Sequence, residues 1–116
     1  MYIFETTDYH NQIVRLDQKV WKEKLMDPVF GHPEIKPYRS FIKHVIQYPD
    51  YVYQSSRANN SKLLYRRIPK SDFTGYFLLV VVKYVAGAEK LVGYVSTVLI
   101  TRKLPTEGKL LWEKAN

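Results

Sequence analysis

The segment Tyr76-Phe77-Leu78-Leu79-Val80-Val81-Val82-Lys83-Tyr84 restricts the fold more than any other. It is apolar at both alternating sets of positions until Lys83, so as a β-strand it buries most of both faces. Such a strand belongs in the middle of a sheet, with a partner on each side and cover above and below. It is far shorter than the roughly 18 apolar residues that a membrane-spanning helix needs.

The flanking sequence supplies partners for it. Tyr51 to Ser56 is rich in β-formers, Arg57 to Ser61 is rich in turn residues, and Lys62 to Ile68 reads as the next strand. Pro69-Lys70-Ser71-Asp72 is expected to turn the chain into the central strand, and Ala86-Gly87-Ala88-Glu89 to fold it into a hairpin with Leu91 to Thr101. The preceding residues have helical spacing. Asp17 is a suitable N-cap for a helix whose Trp21, Leu25 and Met26 form an apolar stripe, and Asp27-Pro28 ends it. A second helix begins at Pro33-Glu34, where proline and a carboxylate both suit the first turn. Its face is Ile35, Tyr38, Phe41, Ile42, Val45 and Ile46, and Tyr48-Pro49-Asp50 closes it. Pro37 lacks an amide donor and moves the expected helical start toward Lys36. The predicted fold is α+β: two N-terminal helices packed on one face of a four-stranded antiparallel sheet, in a single domain covering 1–116.

Charge divides the chain at the same place. Residues 1–56 hold seven Lys/Arg and seven Asp/Glu, whereas residues 57–116 hold eleven Lys/Arg against Asp72, Glu89, Glu107 and Glu113, so the net +7 belongs to the second half. A localised positive charge concentrates a polyanion on one surface. With helices on one side, that surface is expected to be the sheet face turned away from them. Tyr51, Tyr53, Tyr65, Tyr76, Tyr84 and Tyr94 are interleaved with the basic residues, as in surfaces that stack bases while holding phosphates.

Several chemistries are excluded by residue type. There is no cysteine, hence no disulfide and no thiolate nucleophile or ligand. The first residues lack the basic start and apolar run of a secretion signal, and the reading is a cytoplasmic protein without membrane contact. No glycine-rich phosphate loop, His-x-x-x-His spacing or serine nucleophile motif is present, and neither metal nor cofactor is expected.

An ordered series of short matches resembles the barnase, EndoU, colicin and RelE class of nucleases, in particular its small phage-associated and toxin-associated members. The series is Trp21, Gly31-His32-Pro33-Glu34-Ile35, Tyr48-Pro49-Asp50-Tyr51-Val52, Leu64-Tyr65-Arg66, Tyr76 to Lys83 and Val95-Ser96-Thr97, covering about residues 13 to 112. The resemblance implies a metal-independent ribonuclease, or a relative that keeps the fold without the activity and binds RNA or protein. It singles out Arg66, through the Tyr-Arg pair. Such members often carry a further histidine soon after the tryptophan, where this chain has Lys22-Glu23-Lys24. A toxin of this type would be restrained by an acidic inhibitor, complementary in charge to the basic face.

RNA transesterification needs a base for the 2′-hydroxyl, an acid for the leaving 5′-oxygen and cations for the phosphoryl oxygens. His32 and Glu34 are the candidate acid–base pair, at the junction of the neutral and basic halves, with Glu23 as the other candidate base. Arg66 is the third catalytic candidate. Arg66 and Arg67 project to opposite faces of a strand, so one of them at most joins a given site. Arg57, Tyr65, Lys83 and Thr97 are the candidate substrate-binding residues, with Ser96 beside Thr97. His44 is set aside for want of a carboxylate at i±3 or i±4, and His10 because it lies in a polar N-terminal segment.

Overall fold

The computed structural model describes residues 1–69 and 75–115. A seven-stranded mixed sheet, not a four-stranded antiparallel one, forms the centre of the molecule. Its strands are β1 (Tyr2–Thr7), β2 (Ile13–Asp17), β3 (Tyr51–Gln54), β4 (Ser61–Arg67), β5 (Phe77–Ala86), β6 (Leu91–Thr101) and β7 (Leu110–Glu113). Their spatial order is β1-β2-β6-β5-β4-β3-β7. The four expected strands are β3 to β6, and they pair antiparallel in sequence order. Strand β5 is their centre, with Leu64 of β4 opposite Val80 and Val80 opposite Val98 of β6. The turn expected at Pro69-Lys70-Ser71-Asp72 lies, apart from Pro69, outside the described residues.

Three further strands overturn the predicted architecture. Strand β2 alternates correctly for a half-buried strand, with Val14 and Leu16 inside and Arg15 between them. It pairs with β6 in parallel at Val14–Gly93 and Arg15–Tyr94, and this makes the sheet mixed. Gly93 allows the approach: a Cβ there would lie 2.7 Å from Val82 Cγ1 and 3.0 Å from Val14 Cγ2. Strand β7 returns to the opposite edge and pairs with β3. All four of its residues are exposed, so burial leaves no alternation in its sequence.

The helical layer is smaller than predicted. Val20–Leu25 is a single wide turn of π type, with Trp21 and Leu25 buried beneath it. Asp17 belongs to β2, and its Oδ1 accepts from the Lys19 amide at 2.8 Å. The second helix is a 3-10 segment, Pro33–Tyr38, running into α1, Arg39–Gln47. Pro37 lies inside the 3-10 segment and α1 starts two residues beyond it, later than the expected Lys36, because the missing amide interrupts i→i−4 bonding.

Two apolar clusters sandwich the sheet. On the helix side Leu25, Ile35, Ile42, Val45 and Ile46 pack on Val14, Leu16, Val52, Leu64, Leu78, Val80, Val82, Val95 and Val98. On the far side Tyr65, Phe77 and Leu79 are buried under Tyr51, Tyr53, Leu63, Val81, Leu99 and Leu104. Leu104 belongs to the connection from β6 to β7, which therefore crosses the far face. That face is apolar and aromatic at its centre, with Arg15, Arg67 and Lys83 among its residues. Lys62 and Arg66 project to the helix side, Lys62 over the rings of Tyr84 and Tyr9 and Arg66 toward Tyr48, so the positive charge is shared between the faces.

One polar contact ties the first hairpin to the central strand. Asp8 is 4% exposed, and its Oδ1 accepts from the amides of His10 and Gln12 while its Oδ2 accepts from the Tyr84 hydroxyl at 2.6 Å. Burial, then the bond to Asp8 and its charge, raise the Tyr84 pKa far above its ordinary value. Tyr84→Phe should lower stability by about 1.5–3 kcal/mol, the range for a hydrogen bond to a charged group, measured by urea unfolding. A loss under about 0.5 kcal/mol would show that the two amides suffice for Asp8.

Candidate functional site

The expected site residues fall in four separate places. His32 and Glu34 lie at the start of the helical segment, with Nδ1 of His32 3.7 Å from Oε2 of Glu34 and both side chains well exposed. His32 makes no side-chain cap, although it occupies the N-cap position. Arg66 lies at the other end of α1, where its Nη1 donates to the Tyr48 carbonyl at 2.6 Å. Helical rises of about 2.0 and 1.5 Å per residue put roughly 25 Å between the two ends. Glu23 lines another groove, with Asp17, Lys19, Lys24 and Tyr94.

The binding candidates lie on the far face. Arg57 and Thr97 line one groove of about 550 Å³, floored by Leu63, Leu79, Val81 and Leu99. Lys83 is exposed near the end of β5, opposite Ser61, which also lines that groove. Ser96 sits at a bulge between Thr97 and Val95, and its Oγ donates to the Val81 carbonyl at 3.2 Å. Tyr65 is 3% exposed and held edge-on between Tyr53 and Phe77, at 5.9 and 6.0 Å between ring centres. Burial, and then the neighbouring Tyr53, push its pKa up to about 12. Its ring is committed to the far-side core and is not presented for stacking. The sheet therefore separates Arg66 from Arg57, Tyr65, Lys83 and Thr97.

Around Arg66 the structure assembles residues that have no proximity in sequence. A cleft of about 420 Å³ at the C-terminal end of α1 is lined by Tyr9, His44, Gln47, Tyr48, Pro49, Arg66, Trp112 and Lys114. Helix α1 supplies His44 and Gln47, strand β4 supplies Arg66, the β1–β2 turn supplies Tyr9, and β7 with the residue following it supplies Trp112 and Lys114. The backbone around Asp50 holds these parts in register: Asp50 accepts from the Lys114 amide through its carbonyl at 2.9 Å and from the Arg67 amide through Oδ2 at 2.8 Å. Its Oδ1 is 3.8 Å from Arg66 Nη1, near enough to orient the guanidinium.

The cleft is aromatic and positive. Tyr48 is 61% exposed and Trp112 is 37% exposed. The His44 ring lies 5.3 Å from Tyr48, and the Tyr9 ring 5.5 Å from Trp112. Partial burial, followed by the charges of Arg66 and Lys114, lowers the His44 pKa. The imidazole is then predominantly neutral at pH 7, the form that accepts a proton. Tyr48 follows His44 at i+4, a spacing that places them on one helix face and was the available sequence signal for this site. The positions of Arg66, Trp112 and Lys114 come from strand pairing and had no local signal.

Among the described residues, no group of three or more His, Asp or Glu side chains gathers as metal ligands would. No helix among them is long and apolar enough to cross a membrane. No family model, curated protein or solved structure matches the chain.

In an NMR titration His44 should protonate below the ordinary histidine range, and Arg66→Ala or Lys114→Ala should move its pKa upward by removing a neighbouring positive charge. Millimolar inorganic phosphate should do the same, since an anion between the two cations favours imidazolium. By linkage, phosphate should then bind more tightly as pH falls through the His44 range. An unmoved His44 in all three cases would remove both cations from its surroundings.

Proposed function

We propose that the protein is a metal-independent ribonuclease that binds single-stranded RNA in the cleft at the end of α1, with Arg66 and Lys114 holding a phosphate and His44 moving the proton. The observation that carries this reading is the meeting of an imidazole with two cations and two exposed rings, Tyr48 and Trp112, in one cleft. A phosphate between Arg66 and Lys114 would have His44 on the same wall to take the 2′-hydroxyl proton, and flanking bases would have rings to stack on. The resemblance to phage-associated and toxin-associated nucleases points to the same substrate and independently to Arg66. An acidic inhibitor protein is the partner that a toxin of this charge would need.

A second reading is RNA binding without cleavage. It is favoured by the separation of the acid–base candidates: among the described residues no second histidine lines the cleft, and His32 with Glu34 lies at the far end of the helix. The far-face groove with Arg57 and Thr97 would then hold a further part of the strand.

Labelled RNA incubated with the protein in EDTA separates these readings. Cleavage leaving 2′,3′-cyclic phosphate ends is expected, with His44→Ala slower by about 10²–10⁴-fold. Arg66→Ala should weaken RNA binding and reduce the log–log salt slope by about 1. Loss of cleavage in His32→Ala, but not in His44→Ala, would move the chemistry to the helix start. Salt-dependent binding with no cleavage supports the second reading, and no binding at all overturns both.

A further inference from the structure

We propose that the cleft discriminates between nucleobases, with the Tyr9 hydroxyl and the Gln47 side-chain amide reading the edge of one base. This rests on the RNA reading above and adds sequence preference to it. Arg66, Lys114 and His44 suit a phosphate, and Tyr48 and Trp112 suit a base face. Tyr9 and Gln47 are the remaining polar side chains of the lining.

Each carries an observation of its own. The Tyr9 hydroxyl is buried, with no hydrogen-bond partner among the described residues. A hydroxyl in that condition has lost its water without compensation, and native proteins hold few such groups. Burial, then the charge of Asp8, pushes its pKa up to about 12, so it stays protonated and remains a donor. Its ring is held by His10, at 4.2 Å between centres, and by Trp112. Gln47 is oriented by a bond from its Nε2 to Thr6 Oγ1 at 2.7 Å. An amide fixed in this way keeps its donor and acceptor ends in place, and an edge reader requires that.

The ligand class follows from these groups: a planar, hydrogen-bonding ring attached to a phosphate, that is, one nucleotide of a single strand. The cleft volume of about 420 Å³ lies within the range of roughly 300–1,000 Å³ usual for small-ligand sites. Access to the buried hydroxyl requires the neighbouring Trp112 ring, 5.5 Å from that of Tyr9 and on a four-residue edge strand, to shift as the base enters.

The test is fluorescence anisotropy with labelled ribodecamers of A, C and U at fixed salt. Wild type should bind its best decamer about 5-fold or more tighter than its worst, and Tyr9→Phe and Gln47→Leu should each narrow that ratio by about 2–10-fold, the worth of one hydrogen bond. Thermal unfolding supplies a second readout. Tyr9→Phe should be neutral or stabilising, since it deletes an unpartnered polar atom; a clear fall in Tm would show that the hydroxyl has a structural partner and would overturn its assignment. Equal binding of all three decamers by wild type, or an unchanged ratio in both variants, overturns the inference while leaving RNA binding intact. Failure of every decamer to bind overturns the RNA reading and this inference with it.

Discussion

Burial of β5 on both faces is the constraint from which the rest of the architecture follows. Its inward residues Leu78, Val80 and Val82 require the helical layer, and its opposite residues Phe77, Leu79 and Val81 require a second cover on the far side. A sheet with one solvated face would leave one of those rows in water, at roughly 1.5–3 kcal/mol for each fully exposed large side chain. The chain meets both demands with its two long crossings. The segment between β2 and β3 covers the helix side, and the β6–β7 connection lays Leu104 across the other.

The two crossings also create the cleft. Because the β6–β7 connection crosses the far face and delivers β7 to the edge beside β3, Trp112 and Lys114 arrive next to the last turn of α1 and the end of β4. Tyr9 comes from the other direction, on a turn whose Asp8 is anchored to Tyr84 of β5. Four segments distant in sequence thus contribute to one concave surface. A positive charge on residues 57–116 is converted there into a local field, since Arg66 and Lys114 add to desolvation in lowering the His44 pKa.

Much of the sheet was legible in the sequence. Strands β3 to β6, the β3–β4 and β5–β6 hairpins and the central place of β5 follow from β-propensity, turn residues and a short apolar run. The N-terminal hairpin was legible in principle, through the alternation of Val14, Arg15 and Leu16, but the helical spacing of Trp21 and Leu25 just beyond drew the assignment of Asp17 toward a cap. Pro37 signalled a disturbed helix start correctly in kind, and the 3-10 segment is its outcome. Strand β7 left no trace, because an edge strand exposed at all four positions has no buried face to impose a pattern.

By itself, then, the sequence determined the strand-rich second half, its positive charge and the two-sided burial of β5, all of which are properties of short windows: residue type, period and spacing. Only the tertiary structure decided the parallel pairing of β2 with β6, the course of the β6–β7 connection and the grouping of His44, Arg66, Trp112 and Lys114. It also separated His32 and Glu34 from Arg66 by the length of a helix, and Tyr65 from solvent. These are long-range outcomes, set by which strand edges meet and which faces are covered. A local pattern states that a residue is on a strand or a helix face, and the closure of the chain on itself states what that face meets.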